Sequence, residues 1–185
     1  MNTMETWNIQ LIRCRRKTIG IRIDDGGGIT VRAPLRTSKA EIRRVLDSKR
    51  KWIEKTLAKV RTRAQEPKLT EEELAALVKQ AKQVIPPRAA EWARRMGVRY
   101  GRITVKKQKT LWGSCSAKGN LNFNCLLMLC PEDVLDYVIV HELSHRKELN
   151  HSPRFWAEVE RVLPDYWKPL KWLKTDGQAL ISRMP

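Results

Sequence analysis

The stretch of sequence that decides the fold of this 185-residue chain runs from His141 to His151 and reads HELSHRKELNH. It contains all three histidines of the chain, and two of them frame a glutamate in the pattern H-E-x-x-H. On an α-helix, residues four apart lie on one face, about 6 Å apart along the axis, so His141 and His145 can face one metal ion. Glu142 follows one step round the helix. The spacing predicts two metal ligands and an acid–base carboxylate on a single helix.

The helix that carries this motif is predicted over Asp133–Glu148, with Pro131 as its start signal. If the helix continued, His151 would leave the face that the other two histidines share, so the helix must end first. Asn150 tolerates the left-handed conformation that ends helices. Ser152-Pro153 is typical of an N-cap followed by proline at the first position of a new helix. His151 would then lie in a turn, free to fold back onto the metal.

The metal itself is predicted to be zinc. Catalytic zinc usually keeps three protein ligands and one open position, and imidazole is a common ligand, so we expect all three histidines to bind it. A carboxylate of the next helix, Glu158 or Glu160, is the alternative to His151. Zinc lowers the pKa of bound water towards about 7, and Glu142 can take the proton. Glu148 stands where the long metzincin motif has glycine, which argues against a metzincin.

Composition bounds the class of protein. With 42% hydrophobic residues, the chain can bury a core, and one domain of this length, or one with a small appendage, is expected. There is no apolar run of membrane-spanning length, and Met1–Arg16 lacks the apolar core of a signal peptide, so we expect a cytoplasmic protein without membrane association. The cysteines form no C-x-x-C pair, which predicts reduced thiols. They are Cys14, Cys115, Cys125 and Cys130.

The charge is unusual for an enzyme of this size. The formal net charge is +17, which indicates an acidic partner such as nucleic acid or nucleotide phosphates. The basic residues are spread in short clusters between apolar residues, and solvated helix faces have the same pattern. Nucleic-acid association is therefore one of two interpretations, and the oligomeric state is not predictable.

The first third of the chain predicts a small sheet and a covering helix. The strands are expected over Trp7–Arg13, Lys17–Ile23 and Ile29–Ala33, with a turn at Asp25–Gly28, and the helix over Ser38–Arg63. Gln65–Lys68 is a plausible linker. We expect an N-terminal unit of residues 1–66 and a catalytic domain of residues 67–185, with one continuous domain as the alternative.

The remainder alternates between helical and strand periodicity. A helix over Thr70–Met96 begins with a capping box and is expected to be kinked or split at Pro86-Pro87. After the strands and their hairpin turn, Ala117–Asn120, comes the H-E-x-x-H helix. The expected strands are Ile103–Lys107, Thr110–Ser116 and Leu121–Leu129, and the last helices are Pro153–Leu163 and one or two short ones in Pro164–Pro185. This order predicts the α+β class.

Three motifs flank the histidine window in a specific order. They are Trp112-Gly113-Ser114-Cys115-Ser116, Tyr137-Val138 before the H-E-L-x-H helix, and Asn150-His151-Ser152 followed by Phe155-Trp156. With them the chain resembles, over nearly its whole length, the YgjP-like metallopeptidase-fold family, which is related to SprT-like and WLM-type proteins. The resemblance implies a zincin-like core, a small mixed or antiparallel sheet packed on the H-E-x-x-H helix, with the metal at His141, His145 and His151. A nucleoside-triphosphate pyrophosphatase activity is associated with the family.

These observations predict a zinc-binding protein and lead to three hypotheses for its function, two of them zinc-dependent hydrolases and one without enzymatic activity. The leading one is a metallopeptidase in which Glu142 is the general base and the strand Thr110–Ser116 or Leu121–Leu129 holds an extended peptide. The second is a metal-dependent nucleoside triphosphate pyrophosphatase that uses the same metal and base. The third is a nucleic-acid-associated module with a structural zinc, which would need Cys115 as a fourth ligand.

Six further residues are candidates for supporting the metal ligands or contacting the substrate. Tyr137 lies one helical turn before His141 and is expected mainly to pack in the core. The sequence does not rank the others as donors to a reacting oxygen. The six are Tyr137, Asn124, Asn150, Arg154, Trp112 and Cys115.

Overall fold

A computed structural model describes residues 7–24 and 26–185, apart from the side chain of Ala64. The chain divides into two compact units, Met1–Glu66 and Pro67–Pro185. Each unit combines helices with one small sheet and has its own hydrophobic core, so the predicted α+β class is confirmed. No helix in the described parts of the chain is both long and apolar enough to span a bilayer.

The first unit is a three-stranded mixed sheet followed by two helices. Its central strand pairs in parallel with the first strand and antiparallel with the second. Alternate residues of the central strand, Ile29, Val31 and Ala33, are buried against Ile42 and Leu46 of the first helix. The elements are β1 (Ile9–Cys14), β2 (Gly20–Ile23), β3 (Ile29–Pro34), α1 (Lys39–Ser48) and α2 (Arg50–Ala64).

Two local details of this unit differ from the expected pattern. The single helix predicted over Ser38–Arg63 is two helices, separated at Lys49, whose φ and ψ are −103° and 7°. Apolar positions continue at helical spacing across Lys49, with neither proline nor glycine at the break, so the sequence carries no signal for it. The predicted turn before β3 includes Asp25, which lies outside the described residues; beyond it, Gly27 has a φ of 81°.

The second unit packs five further elements around one buried helix, α4. The sheet order is β4-β6-β5, with β6 parallel to β4 and antiparallel to β5. Helices α3, α5 and α6, the 3-10 helix and strand β5 all contact α4. The elements are α3 (Glu71–Met96), β4 (Ile103–Lys106), β5 (Gly113–Cys115), β6 (Leu121–Asn124), a 3-10 helix (Cys125–Leu129), α4 (Glu132–Ser144), α5 (Pro153–Val162) and α6 (Trp167–Ser182).

Helix α3 continues through Pro86-Pro87 and is not split there, which was one of the two expected outcomes. Its buried stripe, which includes Ala81, Ile85 and Ala89, continues at helical spacing on both sides of the prolines. The burial of this stripe outweighs the two missing backbone hydrogen bonds, each worth a net ~1 kcal/mol. The ends of the helix follow the prediction: Thr70 and Glu73 form the capping box, and Gly97 adopts the left-handed conformation at the other end.

The strands of this unit are shorter than predicted, and α6 is longer. The run predicted as a strand over Leu121–Leu129 leaves the sheet at Asn124, because the Asn124 side chain accepts a hydrogen bond from the Leu126 amide and starts a 3-10 helix. The C-terminal segment forms one helix of 16 residues, α6, instead of short pieces. Gly119 has a φ of 81° in the hairpin turn between β5 and β6, as a turn of this kind requires.

Candidate metal centre

Helix α4 is core along most of its length and ends earlier than predicted. Nine of its 13 residues are buried, among them Val140 and Leu143. The helix stops at Ser144 instead of Glu148, so His145 is its C-cap, with φ −64° and ψ −10°. The Arg146 amide donates to the Leu143 carbonyl at 2.9 Å, a tight turn that uses a terminal carbonyl of the helix. The H-E-x-x-H motif therefore crosses the end of the helix.

The turn between α4 and α5 is closed by side chains. Asn150 does not adopt the left-handed conformation that we expected: among the described residues, only glycines have a positive φ. Instead, its side-chain oxygen accepts a hydrogen bond from the Ser152 amide at 3.2 Å. Ser152 caps α5 by accepting from the Phe155 amide, and Pro153 is the first residue of that helix, as predicted. His151 consequently lies in the turn.

The three histidines converge on one point. One ring nitrogen from each of His141, His145 and His151 lies within 4.8 Å of the others, and the Nε2 atoms of His141 and His151 are 3.0 Å apart. Nitrogens bound tetrahedrally to zinc at about 2.0–2.1 Å would be separated by roughly 3.3 Å, which is close to the separation of the His141 and His151 nitrogens. Within the described residues, it is the one group of histidine, cysteine or carboxylate side chains with this geometry.

Two neighbouring groups contact the Nδ1 atoms of His145 and His141 and orient these imidazole rings. Nδ1 of His145 lies 3.1 Å from the Glu148 carbonyl oxygen, which can only accept a hydrogen bond, so the proton is on Nδ1 and the Nε2 lone pair is available. The Tyr137 hydroxyl lies 3.4 Å from Nδ1 of His141. Tyr137 is also buried in the core, so it both packs, as expected, and contacts a ligand candidate. Contacts of this kind fix the ring orientation of metal-binding histidines.

An aromatic platform lies against the cluster, and sequence reasoning had not selected it as part of the site. The buried ring of Phe155 lies 4.6–4.8 Å from the centroids of all three imidazoles. Trp156 stacks on His151 at 5.8 Å and on Tyr166 at 5.5 Å. The Phe155-Trp156 pair, one helical turn after Ser152, was the sequence signal for this platform. The sequence does not show that these two rings contact the imidazoles.

Burial favours the uncharged form of two of the imidazoles, those of His141 and His145. Desolvation, together with the neighbouring His145 and His151, lowers the pKa of His141 to about 3. Desolvation also lowers the pKa of His145. Neutral imidazole is the form that binds a metal ion, so these two side chains are prepared for ligation at neutral pH.

Glu142 is almost fully buried, and its position depends on a glycine of β5. Burial raises the pKa of its carboxyl group to about 8. A Cβ atom at Gly113 would lie 2.7 Å from Oε1 of Glu142 and 2.8 Å from its Cγ, so only glycine lets the strand approach this closely. Gly113 was not among the predicted site residues. The two line a cavity of about 270 Å³ with Trp112, Tyr137, Val138, His141, Leu170, Leu173, Lys174 and Gln178.

The remaining candidates have different surroundings. Asn124 is fully buried, and its amide donates to the carbonyls of Gln108 and Leu111 at 2.8 and 2.9 Å, so it holds the loop that leads to Gly113. Trp112 lines the cavity beside Glu142. Asn150 and Arg154 are exposed, one in the turn before α5 and the other in its first turn.

The alternative ligands lie outside the cluster. Cys115 is half-buried, its thiol donates to the Ser116 carbonyl at 3.5 Å, and burial raises its pKa. Glu158 forms ion pairs with Lys147 at 2.7 Å and Arg161 at 2.8 Å, and Glu160 is exposed on α5. Among the residues that the structure describes, neither a thiol nor a carboxylate joins the three imidazoles.

The class and the family follow from fold and sequence together. An H-E-x-x-H helix packed beside a small mixed sheet defines the zincin-like metallopeptidases. Residues 17–78 and 68–176 match the family described as YgjP-like, metallopeptidase domain. The chain belongs to this YgjP-like family and is a hydrolase of the metallopeptidase class, so the resemblance and the zincin-like core predicted from the motifs are confirmed.

Two solved structures are similar to this chain. The metallopeptidase zymogen of Pyrococcus abyssi abylysin is 23% identical, with a TM-score of 0.48, and the match covers 51% of this chain and 96% of that one. The metallopeptidase zymogen of Methanocaldococcus jannaschii jannalysin is 24% identical, with a TM-score of 0.41, and the match covers 49% and 94%. No curated protein matches the sequence.

Proposed function

We propose that the chain is a zinc-dependent metallopeptidase whose metal is held by His141, His145 and His151. The observation that carries this proposal is the convergence of three ring nitrogens within 4.8 Å of one another. Soft thiolate ligands are outside the cluster, and an all-imidazole set suits zinc. Three protein ligands leave a fourth position open, which is the pattern of catalytic and not of structural zinc.

When bound, zinc supplies a Lewis acid for the scissile carbonyl, lowers the pKa of water towards about 7 and favours the ionised form of a nearby carboxyl group. Glu142 adjoins His141 in the sequence and lines the same cavity, and this supports its role as the base for a water molecule that zinc would activate there. It takes a proton from that water and later passes it to the amine of the leaving peptide. Burial between α4 and β5 excludes bulk water from this transfer.

The substrate backbone is proposed to lie along β5. Strand β6 is hydrogen-bonded on both sides, to β4 and to β5, so its edges are already used. β5 is an edge strand, and its first residue, Gly113, packs directly on Glu142. An extended peptide can add to such an edge through main-chain hydrogen bonds, which place its carbonyl groups beside the catalytic carboxylate. Of the two strands considered from the sequence, β5 is the one with a free edge.

The family match favours a peptide or protein substrate. It does not support a nucleotide substrate, which the pyrophosphatase activity associated with the family and the basic charge had suggested. Nor does it support a nucleic-acid partner, which the excess of arginine and lysine had suggested. The structural-zinc alternative required Cys115 as a ligand, and the cluster does not include it.

The proposal is tested by Glu142→Gln in the zinc-loaded protein. The variant keeps the size of the side chain and the three histidines, so we expect one zinc per chain and a loss of peptide cleavage of about 10²–10⁴-fold, the usual contribution of general acid–base catalysis. Metal analysis and an internally quenched peptide assay measure the two quantities. Glu160→Gln, an exposed change of the same chemistry on α5, should alter neither.

Full activity in Glu142→Gln would contradict the role of this carboxylate. A zinc-loaded wild-type protein that hydrolyses nucleoside triphosphates but no peptide would contradict the substrate class.

A further inference from the structure

Helix α6 forms one wall of the cavity that contains Glu142 and His141. Four of its residues line the cavity: Leu170, Leu173, Lys174 and Gln178. Leu170, Lys174 and Gln178 are four residues apart, so they form one stripe about 12 Å long on a single face of the helix. This stripe begins apolar, continues with a cation and ends with an amide.

The distance of this wall from Glu142 is fixed by a glycine. Gly177 is buried inside α6, where glycine is otherwise unfavourable. A Cβ atom at this position would lie 3.1 Å from Cζ2 of Trp112, so glycine allows the indole ring to pack closely on the helix. Trp112 directly precedes Gly113, which in turn packs on Glu142. A chain of close contacts therefore holds α6 beside the carboxylate.

Lys174 is the one lysine or arginine among the residues that line this cavity, and Glu142 is the one acid. Within the described residues, Lys174 forms no ion pair. The nearest acid along α6, Asp176, is two residues on and thus about 200° round the helix axis. Asp176 also accepts a hydrogen bond from the Thr175 hydroxyl at 2.7 Å. The ammonium group of Lys174 is therefore left for a ligand.

We propose that Lys174, assisted by Gln178, binds a carboxylate group of the peptide substrate next to the scissile bond. This inference rests on the proposed peptidase function and adds a substrate preference to it. The ammonium group offers three donors and the glutamine amide two more, which together suit a carboxylate. The carboxylate belongs either to an aspartate or glutamate side chain or to the C-terminus of the peptide, and the experiment separates these sources.

The test compares cleavage of matched peptides by the zinc-loaded full chain. One series carries Glu, Gln or Lys at positions flanking the cleaved bond, and a second pair ends in a free carboxylate or in an amide. We expect wild type to prefer the carboxylate over its neutral counterpart by about tenfold in kcat/KM, as for one charge-assisted hydrogen bond. Preference for Glu within the first series indicates a side chain, and preference for the free acid in the second indicates the C-terminus.

Substitutions then assign the preference to its residue. Lys174→Gln should bring the preference ratio to within about twofold of unity, and Lys174→Glu should invert it in favour of the Lys peptide. Lys171→Gln is the matched control, because both lysines are exposed on the same helix but only Lys174 lines the cavity, and it should keep the wild-type ratio. An equal loss of cleavage for all peptides in Lys174→Gln would overturn the proposal, since that result means a role other than selection.

A binding measurement separates this inference from the proposed function. Fluorescence anisotropy of the same peptides is recorded with zinc-loaded Glu142→Gln and with the double variant that adds Lys174→Gln. If wild type cleaves peptides but Lys174→Gln changes neither the cleavage ratio nor the binding ratio, the inference fails and the function stands. If no peptide is cleaved, the function fails, and the binding ratio alone decides: its loss in the double variant supports the carboxylate site, and an unchanged ratio overturns it.

Discussion

The two units of this chain contain sheets of the same topology, but within the described residues only the second carries the candidate metal centre. In each sheet the third strand is central, the first strand lies parallel to it and the second antiparallel, in the orders β1-β3-β2 and β4-β6-β5. In each unit the third strand leads towards a helix, α1 in the first and α4 in the second. The topology is thus shared, and the chemistry depends on which residues α4 and β5 carry.

Buried polar groups show the difference most clearly. In the described part of the first unit, Thr37 is the one buried polar residue, whereas the second unit buries Asn124, Glu142 and Ser144 in and near α4. A buried polar group costs stability unless it is hydrogen-bonded, so a buried group without such partners is a candidate for a functional role. Asn124 and Ser144 are hydrogen-bonded to backbone groups, and Glu142 is the one whose pKa burial raises strongly. The perturbed pKa of Glu142 is what distinguishes it as a functional candidate among these buried polar residues.

The largest expected effect is that of removing a ligand from the second unit. His151→Ala removes one of the three converging nitrogens, so we expect the zinc affinity to fall by more than about 100-fold and peptide cleavage to be lost. A competition titration with a zinc chelator measures the affinity. Glu158→Gln and Glu160→Gln change the rival ligands and should retain zinc; loss of zinc in either of them, with retention in His151→Ala, would reverse the assignment of the third ligand.

The second-largest effect on activity is expected at Gly113, and Gly20 is its control. The two glycines are equivalent, because each begins the second strand of its sheet. Gly113→Ala would place Cβ 2.7 Å from the buried Glu142 carboxylate and push it away, so we expect kcat/KM to fall by roughly 10²-fold with zinc retained. Gly20→Ala meets only the end of the flexible Arg16 side chain, which can move, and should keep the activity. Similar kinetics for both variants would show that the approach of β5 to α4 has no catalytic importance.

A smaller effect is expected from removing the Tyr137 hydroxyl group, which contacts Nδ1 of His141. Tyr137→Phe keeps the ring in the core but removes the contact at 3.4 Å, so zinc affinity should fall by about tenfold, the low end for partners of metal-bound histidines. Tyr100→Phe is the control, since Tyr100 is a half-buried tyrosine packed on the same core. The chelator titration distinguishes them, and equal affinities would mean that Tyr137 is a packing residue only.

The smallest effect on activity is expected for a core substitution in the first unit. Leu46 in α1 and Leu143 in α4 are both 0% exposed, and either change to Ala should lower the free energy of unfolding by about 2–5 kcal/mol. Below the unfolding transition, Leu46→Ala should keep kcat/KM within about twofold, whereas Leu143→Ala should weaken zinc binding because Leu143 lies in α4 between His141 and His145. Denaturant unfolding measures the stability of both variants, and peptide kinetics measures their activity. Equal losses of kcat/KM in Leu46→Ala and Leu143→Ala would contradict a functional difference between the two units.

Local signals in the sequence were sufficient for the features that depend on neighbouring residues. The capping box of Thr70, the left-handed Gly97 and the Ser152-Pro153 start of α5 each involve contacts within one helical turn. The convergence of the three histidines was also predictable, because their spacing forces His151 off the helix face and a start signal for the next helix follows at once. These features determine where α3 begins and ends, where α5 begins and where His151 lies.

Other features depend on residues far apart in the sequence, and no local pattern marks them. The approach of Gly113 to Glu142, the packing of Phe155 on three imidazoles and the contact of Gly177 with Trp112 each join separate elements. The same holds for the continuity of α3 through its two prolines, since it depends on how much of the helix is buried. Tertiary burial outweighs local propensity at such positions.

Because α4 ends early, metal binding should restrict the motion of the segment that follows it. Because His145 is the C-cap and His151 precedes α5, an ion bound to all three histidines closes a loop of residues 145–151 onto the helix and removes conformational freedom from it. Arg146 and Lys147 lie inside this loop, so trypsin should cut there faster in the metal-free protein than in the zinc form. The rate of a single proteolytic cut then reports metal occupancy without any assay of catalysis.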